Sequence, residues 1–185
     1  MAKVLNNLIV QGLSGSLGNQ IVIRQGKGGQ TIVSAKPANA TRTFNLTQLA
    51  QQEAFHNAIA YAKSAKDENI YLTKAQGTTL SAFNVAVADW FNAPEVLEID
   101  TENWTGAVGQ VIRVKAQDDI QVTRVHVQIA DTQGNFLEEG AAVQADGLWW
   151  VYTTTTTIAD PSIVNINAKA YNLPGNSHML AWQNN

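Results

Sequence analysis

Residues 110–130 read QVIRVKAQDDIQVTRVHVQIA, two runs in which apolar and polar residues alternate on either side of Gln117-Asp118-Asp119. In the second run Val125, Val127 and Ile129 share one parity, and polar residues occupy the other. Because successive side chains of a β-strand point to opposite faces, this pattern predicts strands with one buried and one solvent-facing side.

Similar short runs recur across the C-terminal half of the chain, separated by Gly, Asp, Asn or Pro. The seven predicted strands are Val96–Ile99, Gln110–Ala116, Val122–Ala130, Phe136–Glu139, Leu148–Thr154, Ile163–Tyr171 and Met179–Trp182. Seven short strands at this spacing are typical of an antiparallel β-sandwich. The chain has no cysteine, so such a sandwich would contain no disulfide.

The first 36 residues predict a small β-ribbon with glycine-rich turns. Its strands are expected at Val4–Gln11, Asn19–Gln25 and Gln30–Ala35, with tight turns across Gly12–Gly18. The second and third strands should form a hairpin, because Gly28-Gly29 can supply the positive φ angles of a tight reversal. A ribbon this small is marginal alone, so it must bury a face against the helices that follow or against a neighbouring subunit.

Helical periodicity follows the ribbon. Residues 43–65 predict an amphipathic helix capped by Thr43 or Asn45, with an apolar stripe made by Leu46, Leu49, Phe55, Ala58, Ile59 and Ala62. A second helix is expected after Gly77, capped by Thr78 or Thr79 and stopped at Asn92-Ala93-Pro94. The segment Asn69–Ala75 fits either a short helix or a loop.

These elements predict an α+β chain of two modules. Residues 1–94 would form a β-ribbon with a helical hairpin, and residues 95–185 would form the β-sandwich, with Pro94 at the boundary. A sandwich can fold independently with about 100 residues, so the second module is long enough to stand alone.

Composition narrows the possible partners. Charged residues make up 15% of the chain, below the roughly 25% of an average globular protein, and the net charge is −3. The 12 basic residues are scattered, which argues against nucleic acid as a partner. A weakly charged surface favours close packing in an oligomer, although a neutral soluble protein would look similar.

The N-terminus lacks a recognisable signal peptide, because Asn6 and Asn7 interrupt its apolar stretch and no cleavage site follows. No run reaches the ~20 apolar residues of a membrane helix, so membrane insertion is not expected. We therefore expect synthesis in the cytoplasm, with an assembled particle or filament as the final location.

Catalytic signatures are missing from the sequence. The segment Gly12–Gly18 lacks the lysine and hydroxyl residue that end a phosphate-binding P-loop, and a strand rather than a helix is expected after it. His56, His126 and His178 are far apart in sequence and lack a local catalytic or metal-binding pattern. The sequence therefore favours a non-enzymatic protein without a cofactor.

Asp118, Asp119 and Asn172 are candidate calcium ligands. In a sandwich the loops after the second and sixth strands lie at the same end, so these oxygens could converge on a hard cation. Turn chemistry explains the same residues equally well, because Asp and Asn side chains cap turns.

Three tryptophans, Trp104, Trp149 and Trp150, are candidate contacts for a ligand or partner. Trp149 and Trp150 are neighbours on one predicted strand, so one should face the core and the other the solvent or a partner. The threonine run Thr153–Thr157 fits either an edge strand that pairs outside its domain or a polar surface strand.

Three segments of the C-terminal half, IRVKAQDD at 112–119, VTRVHVQI at 122–129 and VNINAKAYNLPGN at 164–176, resemble bacterial immunoglobulin-like modules. Such modules recur in surface and phage proteins, so the resemblance implies adhesion or spacing. It specifies the fold more closely than the function.

The N-terminal half resembles an uncharacterised family of structural proteins from Bacteroidetes-type bacteria and their phages. The resemblance lies in Gly12–Gly18, the hairpin Asn19–Ala35 with Lys36-Pro37, and the helix segment Thr47–Phe55. The family often has an arginine at or beside the position of Glu53, where this chain departs from it. The resemblance implies a phage-like or particle-associated structural protein and supplies no catalytic residues.

The leading hypothesis is a structural subunit of a self-assembling virion, phage-tail-like particle or surface filament, with the immunoglobulin-like sandwich displayed outside. The ribbon would bind copies of the same chain through Val4, Leu8, Val10, Ile21, Ile23, Ile32 and Val33. Other particle or cell-surface proteins, or glycans, are further possible partners. The alternatives are a carbohydrate- or protein-binding adhesion module that uses the tryptophans, and a hydrolase, which would need clustered acids or a histidine-centred pocket.

Overall fold

The chain is α+β and divides into two compact units, Met1–Val85 and Ala86–Asn185. The computed structural model describes residues 2–4, 9–26, 28–36 and 43–183, with only the backbone described for residues 2–4 and 183. Pro94 lies inside the second unit, and a domain boundary at that residue stays a prediction. No helix in the described ranges is long and apolar enough to span a membrane.

The first unit begins with a four-stranded antiparallel sheet in the order β1-β4-β3-β2. Its strands are β1 (Ala2–Val4), β2 (Gly15–Leu17), β3 (Ile21–Gln25) and β4 (Thr31–Ala35). The predicted hairpin is confirmed, because β3 pairs with β4. Gly28 and Gly29 in its turn have φ angles of +102° and +75°.

The prediction for the first strand and the turns after it was partly wrong. Among the described residues of Val4–Gln11, residues 9–11 form a turn, and only Val4 belongs to a strand. Gly15–Leu17, expected to be part of a turn, is a strand that pairs with β3. Glycine content alone did not distinguish a turn from a short edge strand.

Three helices follow: α1 (Leu46–Ala65), α2 (Asn69–Ala75) and α3 (Ala82–Phe91). Asn45 caps α1 as predicted, since its side chain accepts the Gln48 N–H while the Gln48 side chain accepts the Asn45 N–H. The ambiguous segment is the helix α2. At the start of α3 the Asn84 N–H donates to Ser81 rather than to the predicted caps Thr78 or Thr79.

The predicted apolar stripe of α1 does not lie on one buried face. Ala58 and Ala62 are buried, as is Ala65, whereas Leu46 and Leu49 are exposed. The buried side of the helix is therefore made of alanines, each of which removes little apolar area from water.

The second unit is a seven-stranded antiparallel sheet, and each predicted strand is present. The strands are β5 (Glu95–Asp100), β6 (Val111–Gln117), β7 (Val122–Asp131), β8 (Phe136–Gln144), β9 (Trp149–Thr153), β10 (Val164–Asn172) and β11 (Ser177–Gln183). Their order is β11-β10-β7-β8-β9-β6-β5. The edge strands meet through a hydrogen bond of 3.0 Å from the Val96 N–H to Nδ1 of His178.

Strand β8 divides its pairing between two neighbours. Phe136–Ala142 pairs with β7, and Val143 and Gln144 pair with β9. The sheet encloses a single core with apolar side chains from both sides of this division. Its fully buried members include Ile112 and Val114 of β6, Val125, Val127 and Ile129 of β7, and Ile166, Ala168 and Ala170 of β10.

Only Thr153 of the run Thr153–Thr157 belongs to a strand, so the edge-strand and the surface-strand interpretations were both wrong. Strand β9 ends at Thr153, and Thr154 is buried with its hydroxyl donating to the carbonyls of Ala107 and Gln110. The run has high β propensity. These side-chain hydrogen bonds to the loop before β6 nevertheless keep it in the segment that connects β9 to β10.

The same loop is held by Gly106. The Ile158 N–H donates to the Gly106 carbonyl at 2.7 Å, and Gly106 has a φ of +85°. A side chain at Gly106 would collide with the Ile158 carbonyl, whereas Gly109, with a φ of +82°, has open space around it.

We expect Gly106→Ala to lower the free energy of unfolding by about 1–3 kcal/mol more than Gly109→Ala does, because only the first adds a steric collision. Both variants carry the left-handed backbone cost of about 1 kcal/mol, so Gly109→Ala is a matched control. Urea unfolding of the two variants measures the difference. Equal losses would contradict this account of the loop.

Candidate functional site

The end of α3 and the loop between β6 and β7 form an open polar cleft of about 430 Å³. Its lining residues are Phe91, Asn92, Ala93, Glu95, Gln117, Asp118 and Asp119. The carbonyls at the end of a helix have no partners within the helix, so this end needs donors from elsewhere. The last residue of β10 and the loop after it supply them.

Asn92 is at the centre of this network. Its side-chain amide donates to Oδ2 of Asp119 at 2.9 Å, and its carbonyl accepts Nδ2 of Asn172 at 2.8 Å. Nδ2 of Asn176 also donates to the Trp90 carbonyl at 2.7 Å. The loops after β6 and β10 therefore lie at the same end of the sheet, as predicted, and side-chain amides hold the end of the helix there.

The three predicted calcium ligands lie in this region with mixed roles. Oδ1 of Asp118 accepts the N–H groups of Ile120 and Gln121 at 2.9 Å, which is turn capping. Oδ2 of Asp118 and Oδ1 of Asn172 are buried without a hydrogen-bond partner among the described residues. No group of three or more Asp, Glu or His residues in that part of the chain could hold a metal ion, and calcium binding stays a prediction.

The histidines do not converge in the second unit. His126 pairs with Lys169 and His178 with Ala170, adjacent positions that point to opposite faces of β10. His56 belongs to α1 in the first unit.

The tryptophans divide between core and surface. Trp104 and Trp150 belong to the core, each 7% exposed, so their rings offer little area to a ligand. Trp149 faces outward and is half-buried, as the alternation along the strand predicts. The guanidinium of Arg113 lies 4.5 Å, and the ammonium of Lys115 5.7 Å, from the centre of the Trp149 ring.

A second stack of the same kind lies on β7 and β10. The Arg124 guanidinium is 4.1 Å, and the Lys169 ammonium 5.2 Å, from the centre of the Tyr171 ring. Each of the two cations over the Trp149 ring lies opposite an acid in the β5–β6 ladder. Asp100 is opposite Arg113, and Glu98 is opposite Lys115. Arg124 and Lys169 face no acid in their ladder.

A buried carboxylate, Glu138, organises the opposite part of the unit. It accepts hydrogen bonds from the Tyr152 hydroxyl at 2.8 Å, the Thr155 hydroxyl at 2.9 Å, and the N–H groups of Thr155 and Thr156. Burial alone would raise the pKa of Glu138, but these hydrogen bonds outweigh it and hold the pKa below its usual value. Burial, together with the bond to Glu138, raises the pKa of the Tyr152 hydroxyl far above its usual value.

The loop that Glu138 anchors forms one wall of an apolar groove of about 350 Å³. The groove is lined by Asp131, Leu137, Thr156, Thr157, Ile158, Ala159, Asp160, Ile163 and Val164. Leu137 and Ile163 remain exposed there. The sequence analysis did not identify this groove, because its residues come from three separate parts of the chain.

Most of the predicted assembly residues are only partly accessible. Val10, Ile21, Ile32 and Val33 are half-buried, and Ile23 is 7% exposed, which leaves it little area for another subunit. Leu8 lies outside the described residues, as does the side chain of Val4. Their role in assembly stays a prediction.

The sequence analysis missed the more exposed apolar side chains of the first unit. Ile9 is 83% exposed, Leu17 66% and Leu46 85%, and Leu13, Phe44, Leu49 and Phe55 are also exposed. Periodicity did not reveal this exposure, because it assigned Leu46, Leu49 and Phe55 to the same stripe as the buried alanines.

Comparisons with known proteins identify no family. No family model matches the chain, and no curated protein matches it. Solved structures share only partial similarity. CopC from Methylosinus trichosporium OB3b has 11% identity and a TM-score of 0.36 over 48% of this chain and 88% of its own.

Two further solved structures are similar at the same level. An engineered protein has 15% identity and a TM-score of 0.35 over 55% of this chain and 25% of its own. A conjugative transposon lipoprotein from Bacteroides eggerthii DSM 20697 has 17% identity and a TM-score of 0.24 over 51% of this chain and 97% of its own. TM-scores this low support no conclusion about this chain.

Glu138→Gln should lower the free energy of unfolding by about 1–3 kcal/mol at pH 7, because a neutral amide accepts these four donors less strongly. Since the folded-state pKa of Glu138 is lowered, its contribution is complete above the unfolded-state pKa near ~4.3 and is lost as the pH falls through the folded value. The difference between wild type and variant should therefore shrink below about pH 4.

Urea unfolding at pH 7 and at pH 3 measures this difference. The exposed neighbour Glu139, replaced by Gln, is the control and should change stability little at either pH. A pH-independent loss in Glu138→Gln would show that the carboxylate charge is not the stabilising feature.

Proposed function

We propose that this protein is a non-enzymatic structural subunit of a self-assembling particle or filament. The observation that carries the proposal is the exposure of large apolar side chains across the first unit. Ile9, Leu17 and Leu46 have more than half of their surface in water. Burial of one such side chain by a neighbouring copy would contribute roughly 1.5–3 kcal/mol.

The low number of charged residues in the first unit supports the same proposal. Residues 9–26 contain Arg24 as their only charged residue, and residues 43–53 contain only Glu53. Like-charge repulsion between copies is therefore weak in both segments. Exposed apolar side chains on a weakly charged surface are typical of a surface that associates.

We further propose that the second unit is an immunoglobulin-like sandwich displayed on the outside of the assembly. Two features support this: β8 pairs with both β7 and β9, and one core receives side chains from the strands on both sides of that division. The resemblance to bacterial immunoglobulin-like modules points the same way. The assembly could be a virion, a phage-tail-like particle or a surface filament.

An adhesion module that binds carbohydrate or protein is the second candidate. Trp149 favours it, because this residue lies on the outer face of the sheet and is partly exposed. Arg113 and Lys115 already lie over that ring, so a stacked sugar would have to displace them. This cost makes the assembly role the better supported one.

Self-association is tested by light scattering after size exclusion at several protein concentrations. We expect the mass of the wild type to rise with concentration. Leu13→Asp with Leu17→Asp should weaken association by about tenfold or more, because a charge replaces apolar area at each position. Gln20→Asp is the control, since it adds a charge at an exposed polar position of the same ribbon. A wild type that stays monomeric at all concentrations would contradict the proposal.

Glycan binding is tested by tryptophan fluorescence. Under the assembly proposal, oligosaccharides should leave the emission unchanged in both the wild type and Trp149→Phe. A saturable change in the wild type that is absent in Trp149→Phe would favour the adhesion module. The other four tryptophans are present in both proteins, so the difference between the two reports on Trp149.

A further inference from the structure

The first turns of α1 project into solvent. Every residue from 43 to 53, named here the α1 tip, is exposed. Within the tip, Phe44, Leu46 and Leu49 are the large apolar side chains, and Leu46 is 85% exposed. Phe44 stands immediately before the cap Asn45 and Leu49 four residues after it, which are the positions of a hydrophobic staple. The tip is thus an ordered helix start with apolar side chains that no core covers.

The apolar groove of the second unit is a receptor of fitting size. Its volume of about 350 Å³ is near the lower end of the roughly 300–1,000 Å³ of protein binding pockets, enough for a few side chains. The groove is preformed, because Glu138 holds Thr155 and Thr156, and Gly106 holds Ile158. Its exposed walls, Leu137 and Ile163, would be covered by an apolar occupant.

The groove and the N-terminus of α1 differ in the sign of their charge. Asp131 and Asp160 line the groove. Hydrogen bonds hold both carboxyl groups ionised: the Asn135 side chain foremost lowers the pKa of Asp131, and the Ser162 hydroxyl foremost lowers that of Asp160. The first turn of α1 contains no acidic residue, so the partial positive charge of the helix N-terminus is not neutralised there. An apolar tip with a positive end therefore complements an apolar groove with two carboxylates.

We propose that the α1 tip of one copy docks into this groove of a second copy, so that subunits join head to tail. The inference rests on the proposed self-assembly and specifies one contact within it. The two surfaces differ, so the contact is heterologous, and its repetition produces a ring or an open filament rather than a closed two-fold dimer.

Two single variants remove one side of the contact each. Leu46→Asp disables the tip and should leave the fold intact, because an acid in the first turn of a helix is favourable within the chain. Ile163→Lys disables the groove by placing a cation where the helix N-terminus would dock. Leu137→Lys on another wall replaces it if Ile163→Lys does not fold, as judged by urea unfolding.

Matched controls keep the charge change and spare the contact. Asn57→Asp adds the same charge at an exposed polar position of α1 outside the tip. Met179→Lys replaces a side chain that is 53% exposed, as Ile163 is, but lies on β11 and does not line the groove. Both controls should associate as the wild type does.

The decisive measurement is light scattering of the two variants separately and mixed. Each alone should require about tenfold or more protein than the wild type to associate, a change worth about 1.4 kcal/mol per factor of ten. In an equimolar mixture, the intact tip of Ile163→Lys should bind the intact groove of Leu46→Asp. The mixture should therefore associate at a lower protein concentration than either variant alone, because each pair of unlike chains regains one intact tip-to-groove contact.

The other outcomes overturn the inference. If the wild type associates and both variants associate equally well, self-assembly stands but this contact is excluded. If both variants are monomeric and remain so when mixed, the tip and the groove are not each other's partners. If the wild type is monomeric at every concentration, both the contact and the proposed function fail.

Discussion

The divided pairing of β8 is the constraint on which the second unit depends. Its first part completes a ladder with β7 and its last two residues complete one with β9, so both sets of strands cover the same core. Gly140 permits this arrangement, because a Cβ at that position would come within 2.7 Å of the Tyr152 ring. The Tyr152 hydroxyl then reaches Glu138, whose remaining hydrogen bonds hold the loop after β9. One strand thus connects the core, the buried carboxylate and the apolar groove.

The first unit differs from the second in having a small buried core, while several of its apolar side chains are exposed. Among its described residues, the buried side chains are those of four alanines and of Ile23, Thr31, Tyr71 and Val85. The Tyr61 and Tyr71 rings pack edge to face with their hydroxyls 2.6 Å apart, so one of the few large contacts is partly polar. A small core and exposed leucines belong together, because apolar residues that find no place inside remain available for association. This is why the specific function is proposed for that unit.

The outer surface of the second unit is partly polar. Its outer faces carry two aromatic rings that are covered by cations, a partly polar arrangement compatible with contact to water. The end of α3 is attached to the sheet by the side chains of Asn172, the last residue of β10, and Asn176, in the loop after it. Hydrogen bonds therefore fix the end of the helix to the sheet. The polar cleft lies at this point because the carbonyls at the helix end need donors from outside the helix.

Local pattern was sufficient for the strands of the second unit and for the start of α1, but not for the first strands of the ribbon. Period-two alternation located all seven strands of the second unit, and the Asn45 cap located the start of α1, because both signals depend on neighbouring residues. Exposure was not predictable in this way. The pattern of α1 placed Leu46 with the buried alanines, and the threonines after β9 were read as a strand. Only the tertiary structure decided that Leu46 is uncovered and that Glu138 holds those threonines, since burial and side-chain hydrogen bonds depend on residues distant in sequence.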